Sequence, residues 1–128
     1  MKRIFRTRSF SRWMSKTGLT DDALYQAVTE MAQGLIDADL GGCVVKKRVA
    51  LPGQGKRGGA RTIVATRMSD HWFFIFGFRK NERSTIDKDE LRALQEVARD
   101  LLGFDERQLQ SALDAGEITE VLYDNGEA

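Results

Sequence analysis

The sequence predicts an α+β domain with a mostly antiparallel sheet, because strand-like and helical patterns occur in separate groups along the chain. One early strand precedes two helices, three strands follow in succession, and two further helices come next. A chain of 128 residues is long enough to bury its own core. Because no internal repeat or linker divides it, residues 1–128 are expected to form a single domain.

The N-terminal third predicts a strand and two helices. Lys2–Arg8 alternates imperfectly between charged and apolar residues, as a short strand does. Ser9 is expected to cap a short helix that ends near Gly18, and Thr20 to cap a longer one. The apolar stripe of the longer helix recurs at helical spacing and comprises Leu24, Ala27, Val28, Met31 and Leu35. Residues 37–42 are expected to form a turn.

The middle of the chain predicts three strands, Val44–Leu51, Arg61–Met68 and Trp72–Phe78. Ser69 and Asp70 make the turn between the second and the third. The third strand is almost continuously apolar, which predicts burial on both faces and a central place in the sheet.

Helical patterns return in the last third of the chain. Thr85 or Asp87, with Glu90 nearby, predicts the start of an amphipathic helix that ends at Gly103. A second helix is expected at residues 105–115 and a last strand at 118–122, while 124–128 form an acidic tail.

Charge is divided unevenly along the chain, although the net charge is only +1. Residues 1–83 contain 16 Lys and Arg against 7 Asp and Glu, a net of +9. Residues 84–128 contain 4 against 12, a net of −8. The division predicts one basic face that is available to phosphate groups and one acidic face; two solvated surfaces without a partner are the alternative.

Several functional classes are disfavoured by composition. A single cysteine, Cys43, excludes an internal disulfide and fits a reducing cytoplasm. One histidine and one cysteine without ligand spacing predict no metal site. We also expect no membrane span and no secretory signal, because no apolar run is long enough.

Two basic segments suggest where a polyanion would bind. The glycine-rich loop at 53–59 formally matches the dinucleotide pattern GxGxxG, but a strand follows it where that motif requires a helix. In a hairpin that turns at Ser69 and Asp70, Arg61 should come close to Arg79 and Lys80. Such convergence suits a bound phosphate, unless Glu82 neutralises part of it.

At these residues the sequence resembles the RelE/ParE superfamily of toxins from type II toxin–antitoxin modules, and within it the HigB-like branch. The likeness rests on the loop GQGKRGGAR at 53–61, the aromatic strand at 71–76 and the segment GFRKNER at 77–83. It covers most of residues 2–102, which leaves 103–128 as an acidic C-terminal extension. The resemblance implies a small curved sheet flanked by helices.

The resemblance also implies a function. Such toxins are endoribonucleases that cut mRNA, in some cases on the ribosome, without a metal or another cofactor, and a cognate antitoxin inhibits them. On this basis the catalytic residues would be Lys56, Arg61, Arg79, Lys80 and Arg83. Arg61 and Arg79 would stabilise the transition state, and Lys56 or Lys80 would accept the proton. The RNA-binding residues would be Lys46, Lys47, Arg48, Arg57 and Asn81.

Two departures and two alternatives stay open at this point. Some relatives carry a histidine or tyrosine near the C-terminus, where this chain has only Tyr123. One hypothesis is that the acidic extension folds against the basic face and modulates it. A ParE-like toxin that inhibits a topoisomerase is one alternative function, and a non-catalytic nucleic-acid-binding module is the other.

Overall fold

The computed structural model describes residues 2–53 and 59–123. Its elements, in chain order, are β1 (Arg3–Thr7), α1 (Arg8–Met14), α2 (Asp21–Ala32), β2 (Ala38–Gly41), β3 (Val44–Val49), β4 (Ala60–Thr66), β5 (His71–Arg79), α3 (Lys88–Leu102), α4 (Glu106–Asp114) and β6 (Ile118–Glu120).

The strands form one curved, open sheet in the order β2-β3-β4-β5-β1-β6. Every neighbouring pair is antiparallel except β1 and β5, which run parallel. The α+β class with a mostly antiparallel sheet is therefore confirmed. The central place of the aromatic strand β5 is confirmed as well, because β4 and β1 flank it.

Helices cover both faces of the sheet, and each face has its own core. On the α1–α2 side, Phe10 and Met31 pack against Trp72 and Phe74 of β5. On the α3–α4 side, Phe73 belongs to a second cluster that includes residues from both C-terminal helices. Residues 72–75 of β5 thus alternate between the two cores, which explains the continuous apolar sequence there.

Side-chain caps fix where three helices begin. Thr20 accepts a hydrogen bond from the Ala23 amide, as expected. Asp87, rather than Thr85, caps α3 in a capping box with Glu90. The prediction of Ser9 as the first cap was wrong: Thr7 accepts from the Phe10 amide, so α1 follows β1 directly.

Two further expectations about the N-terminal half were wrong. Residues 38–41 form a strand rather than part of a turn, because the edge of β3 supplies their ladder partners. The second helix, α2, ends at Ala32. Leu35 is therefore not part of its apolar stripe, and 56% of the Leu35 surface is exposed. Gly34, with a φ of 91°, lies in the left-handed region just past that end.

The C-terminal segment completes the sheet. The last strand is confirmed as β6, which pairs with β1 at the edge farthest from β2. Two carboxylates of the C-terminal segment bind Arg3 of β1: Glu120 of β6 at 2.9 Å and Glu106 of α4 at 3.5 Å. Within the described residues, this acidic segment is thus paired with Arg3 and not with Arg79 or Arg83. No helix in the described part of the chain is both long and apolar enough to cross a membrane.

Candidate functional site

The strand register brings cations together at one end of β3, β4 and β5. Arg48 lies opposite Arg61, and Arg61 lies opposite Phe78. Ala60 is paired with Arg79, and the Lys80 amide donates to the Gly59 carbonyl at 3.3 Å, which continues the ladder by one residue. We call this region, with Arg48, Arg61, Arg79, Lys80 and Arg83, the basic end of the sheet.

The pleat divides the basic end between the two faces. Side chains directly opposite one another share a face, and successive residues alternate. Arg61 lies two residues before Ile63, whose side chain belongs to the α3–α4 core, so Arg61 and Phe78 face that side. Arg79 lies on the other side, where its guanidinium donates to the Lys16 carbonyl at 3.4 Å. Arg61 and Arg79 are thus neighbours in register, as expected, but their side chains leave opposite faces.

Two aromatic rings and an arginine form the α3–α4 side of this region. The Arg83 guanidinium carbon lies 5.8 Å from the ring centroid of Phe76 and 5.4 Å from that of Phe78. Arg83 also donates to the Thr85 carbonyl at 3.0 Å and to both carboxylate oxygens of Glu90. These contacts hold the Arg83 guanidinium over the aromatic pair.

The ion pair with Glu90 shifts the pKa of both partners. The Arg83 hydrogen bonds, helped by the backbone amide of Asp87, lower the Glu90 pKa from 4.5 to about 2. Hydrogen bonding to Glu90 raises the pKa of Arg83 above its ordinary value. Glu90 therefore has two functions, because it closes the capping box of α3 and orients Arg83.

The cations expected to bind RNA differ in their surroundings. Lys46 is half-buried and faces the α3–α4 side, whereas Asn81 is exposed in the turn after β5. Arg48 is about half exposed and pairs with Asp37 at 2.7 Å. Partial burial alone would raise the pKa of Asp37, but the hydrogen bonds from the backbone and side chain of Arg48 together lower it.

Lys47 points into the protein. Its ammonium group pairs with Glu30 of α2 at 2.8 Å and donates to the Leu35 carbonyl at 2.9 Å, and only 6% of its side chain is exposed. The physical reason is the strand period of two, which turns Lys47 away from Lys46 and Arg48. We therefore leave Lys47 out of the RNA-binding set. Lys56 and Arg57 lie outside the described residues.

In a comparison with protein-family models, residues 2–121 match the model described as the RelE toxin of the RelE/RelB toxin–antitoxin system. The chain belongs to the RelE toxin family. The family implies a toxin with an antitoxin partner. A comparison with curated proteins found no significant match.

The family match extends beyond the part of the chain on which the resemblance rested. It includes α4 and β6, which the sequence assigned to an acidic extension from residue 103. Assignment of this RelE-family chain to the HigB-like branch stays a prediction.

Other side chains considered as acid, base or stacking groups lie away from the basic end. Tyr123 stacks on Tyr25 with ring centroids 4.0 Å apart, and its hydroxyl donates to the Lys2 carbonyl. His71, at the opposite end of β5 from Arg79, lies 6.0 Å from the ring of Phe5. Among the described residues of this RelE-family toxin, no group of three or more potential ligand side chains could hold a metal ion.

Two features of the basic end were not predicted from the sequence. Phe76 and Phe78 were expected simply to be core residues, but they also support Arg83. Glu90 was recognised as a cap and not as the partner of Arg83. The pair could have been predicted from the sequence. Glu90 follows Arg83 by seven residues, and a short turn between them allows the two side chains to meet.

Proposed function

We propose that the chain is the toxin of a type II module and acts in the cytoplasm as a metal-independent endoribonuclease. Its proposed substrate is mRNA on the ribosome, as the resemblance implies. The observation that carries the proposal is the row Arg48–Arg61–Phe78 across three strands, with Arg83 on the same side. Guanidinium groups bind phosphate oxygens through charge-assisted hydrogen bonds, so a phosphate at this row would gain contacts from Arg61 and Arg83 beside the Arg48–Asp37 pair.

The proposed reaction needs three contributions from the protein. The 2′-hydroxyl loses its proton and its oxygen attacks the adjacent phosphorus. The bond from phosphorus to the 5′-oxygen then breaks and that oxygen gains a proton, which gives a 2′,3′-cyclic phosphate and a 5′-hydroxyl. A site for this reaction must accept a proton, stabilise the added negative charge on the phosphate and donate a proton.

We assign these roles by position. Arg61, in the middle of the row, would stabilise the pentavalent phosphate. Arg83, oriented by Glu90, would bind a phosphate oxygen or stack on a base beside Phe76. Arg79, from the other face, would hold a flanking phosphate. Lys80 or Lys56 would accept the proton.

Contacts from Lys46, Arg48, Arg57 and Asn81 would hold the RNA backbone or the ribosome. A cognate antitoxin, which we propose to be a helix-turn-helix protein, would inhibit the toxin by covering the basic end.

The test compares induced expression of the wild type with Arg61→Gln, Arg79→Gln and Arg107→Gln. Arg107 is an exposed arginine on α4 and serves as the matched control for loss of one charge. Growth is recorded, and new RNA 5′ ends are mapped and examined for a 5′-hydroxyl. Loss of one group that stabilises the transition state costs about 10²–10³ in rate, so Arg61→Gln should abolish new cuts while Arg107→Gln keeps them.

Two outcomes would refute the proposal. Growth arrest without new 5′ ends would favour the topoisomerase-inhibiting alternative. New cuts that persist in both Arg61→Gln and Arg79→Gln would show that the basic end is not the catalytic site. Cleavage by the purified protein in the presence of EDTA would support metal independence.

A further inference from the structure

A second basic region lies at the opposite end of β4. A cleft of about 510 Å³ is lined by residues of α3, of the turn between β2 and β3 and of the segment just after β4. Its charged lining consists of three arginines and one carboxylate: Arg67, Arg92, Arg99 and Glu96. Arg67 follows the last residue of β4, whereas Arg61 is near its first. Six residues of strand therefore place the two arginines about 20 Å apart.

Among the described residues, the arginines of this cleft differ from several other arginines in their lack of a carboxylate partner. Arg3, Arg6 and Arg83 each form an ion pair. In the part of the chain that the structure describes, no ion pair involves Arg67, Arg92 or Arg99. Arg92 and Arg99 lie two helical turns apart on α3, with Glu96 between them, so the cleft keeps an excess of two positive charges.

The walls of the cleft are held in place by specific contacts. One guanidinium nitrogen of Arg67 donates to the Leu102 carbonyl at 2.9 Å, which leaves its other N–H groups available. Gln95 donates to the Leu40 carbonyl at 3.2 Å and so ties α3 to β2. A Cβ at Gly42, where φ is 60°, would lie 2.9 Å from Gln95 Cγ, so the turn approaches the helix as closely as a glycine allows.

We propose that this cleft is a second binding site for the phosphodiester backbone of RNA, separate from the catalytic region at Arg61. Guanidinium groups bind phosphate oxygens in a bidentate manner, and three of them surround this cleft. The lining contains no aromatic residue and only Leu102 as a large apolar side chain, so the anchors of a protein interface are missing. This inference rests on the proposed function, because it deepens how the toxin holds its substrate.

Both basic regions lie on the α3–α4 side of β4, separated by the residues that α3 covers. Ile63 and Ala65 of β4 are fully buried in the α3–α4 core, and Arg67 emerges beyond them beside α3. At 3.4 Å per phosphate of a stacked strand, the roughly 20 Å between Arg61 and Arg67 corresponds to about six phosphates. Because α3 covers the strand between them, an RNA segment that contacts both regions must pass over α3 and span at least that number of phosphates.

The single cysteine of the chain provides a reporter for this cleft. Cys43 is exposed and lines it, so bound RNA should slow its alkylation by iodoacetamide. The probe is a 20-nucleotide RNA with 2′-O-methyl groups throughout, which cannot undergo attack by a 2′-hydroxyl. Alkylation is followed by mass spectrometry with and without the probe, and the dissociation constant is measured across a series of salt concentrations.

The variant to test is Arg92→Gln/Arg99→Gln, with Lys2→Gln/Arg107→Gln as the matched control. All four residues are exposed, and each double substitution removes two positive charges. Lys2 precedes β1 and Arg107 is on α4, so neither lines the cleft. We expect the cleft variant to lose protection of Cys43, to bind about tenfold more weakly and to lower the salt slope by about 1.4, since each phosphate contact on a single strand contributes about 0.7. The control should match the wild type.

The proposal would be overturned if RNA bound without protecting Cys43, or if the cleft variant and the control bound RNA equally weakly. Protection by a poly-glutamate peptide and not by RNA would also overturn it, in favour of an acidic protein partner. Protection of Cys43 in Arg61→Gln separates this site from the catalytic one. If RNA protects Cys43 but the wild type makes no new cuts in cells, the proposed nuclease function fails while this binding site stands.

Discussion

Replacing Lys47 by methionine tests whether this lysine holds the fold together. The substitution keeps the length of the side chain but removes the 2.8 Å ion pair to Glu30 and the 2.9 Å hydrogen bond to the Leu35 carbonyl. Breaking a buried ion pair by removing one partner costs about 3–5 kcal/mol. Because 18% of the Glu30 side chain is exposed, water recovers part of that loss, and we expect about 2–3 kcal/mol.

Thermal or urea unfolding measures this loss directly. For a chain of this size, each kcal/mol lost from the free energy of unfolding lowers the thermal midpoint by about 4 °C. The midpoint should therefore fall by about 8–12 °C. The matched control is Lys46→Met, one residue away on the other face of β3, which should change stability by less than about 0.5 kcal/mol. RNA affinity should respond in the opposite way. The Lys46→Met protein should bind RNA more weakly than the wild type, and the Lys47→Met protein should bind it equally well. A stable Lys47→Met protein that binds RNA poorly would refute the reasoning.

Three further substitutions have defined effects. In Gly77→Ala, the new Cβ would lie 2.4 Å from Trp13 Cζ3, so we expect a loss of about 1–3 kcal/mol in the free energy of unfolding. In Asp87→Ala, the cap of α3 is lost, which should cost about 1 kcal/mol in urea unfolding. In Glu90→Gln, the ion pair to Arg83 is lost. Folding lowers the Glu90 pKa from 4.5 to about 2. The stabilisation of the folded state by ionised Glu90 is therefore complete above pH 4.5 and disappears as the pH falls towards 2.

The controls for these variants differ. Trp13→Leu should relieve part of the Gly77→Ala loss, and equal losses with and without Trp13 would contradict the proposed clash. An Asp87→Asn protein should retain most of the cap. For Glu90→Gln, the difference from wild type should be constant from about pH 6 to 7 and shrink below pH 4.5; a difference that is independent of pH would contradict the assignment to Glu90.

Local signals predicted most of the fold. The capping residues Thr20 and Asp87 and the turn at Ser69 and Asp70 set their boundaries through contacts within a few residues of each, and such contacts are readable from sequence. The strand β2 was missed because Asp39, Gly41 and Gly42 are typical of turns, while its ladder partner is supplied by β3. Leu35 was misplaced because helical spacing alone does not show where a helix stops.

The candidate site was less predictable, because it depends on which face each strand residue occupies. Three successive cations, Lys46, Lys47 and Arg48, cannot share a face of one strand, and this could have been deduced from the period of two. To predict that Arg61 and Arg79 lie on opposite faces, one must know the full register of β4 and β5. A bulge between Ile63 and Val64 shifts that register by one residue. Such a shift has no signature in the sequence.

The position of β1 determines the order in which the toxin can be completed during synthesis. Its partners are residues 71–74 on one side and 118–120 on the other, so the first strand to leave the ribosome waits for the last. The hairpin of β4 and β5, which carries Arg61 and Arg79, needs only local pairing and can form earlier. We therefore expect the non-local pairing around β1 to be slower than the pairing within this hairpin, and the sheet order β2-β3-β4-β5-β1-β6 is complete only once β6 has been made.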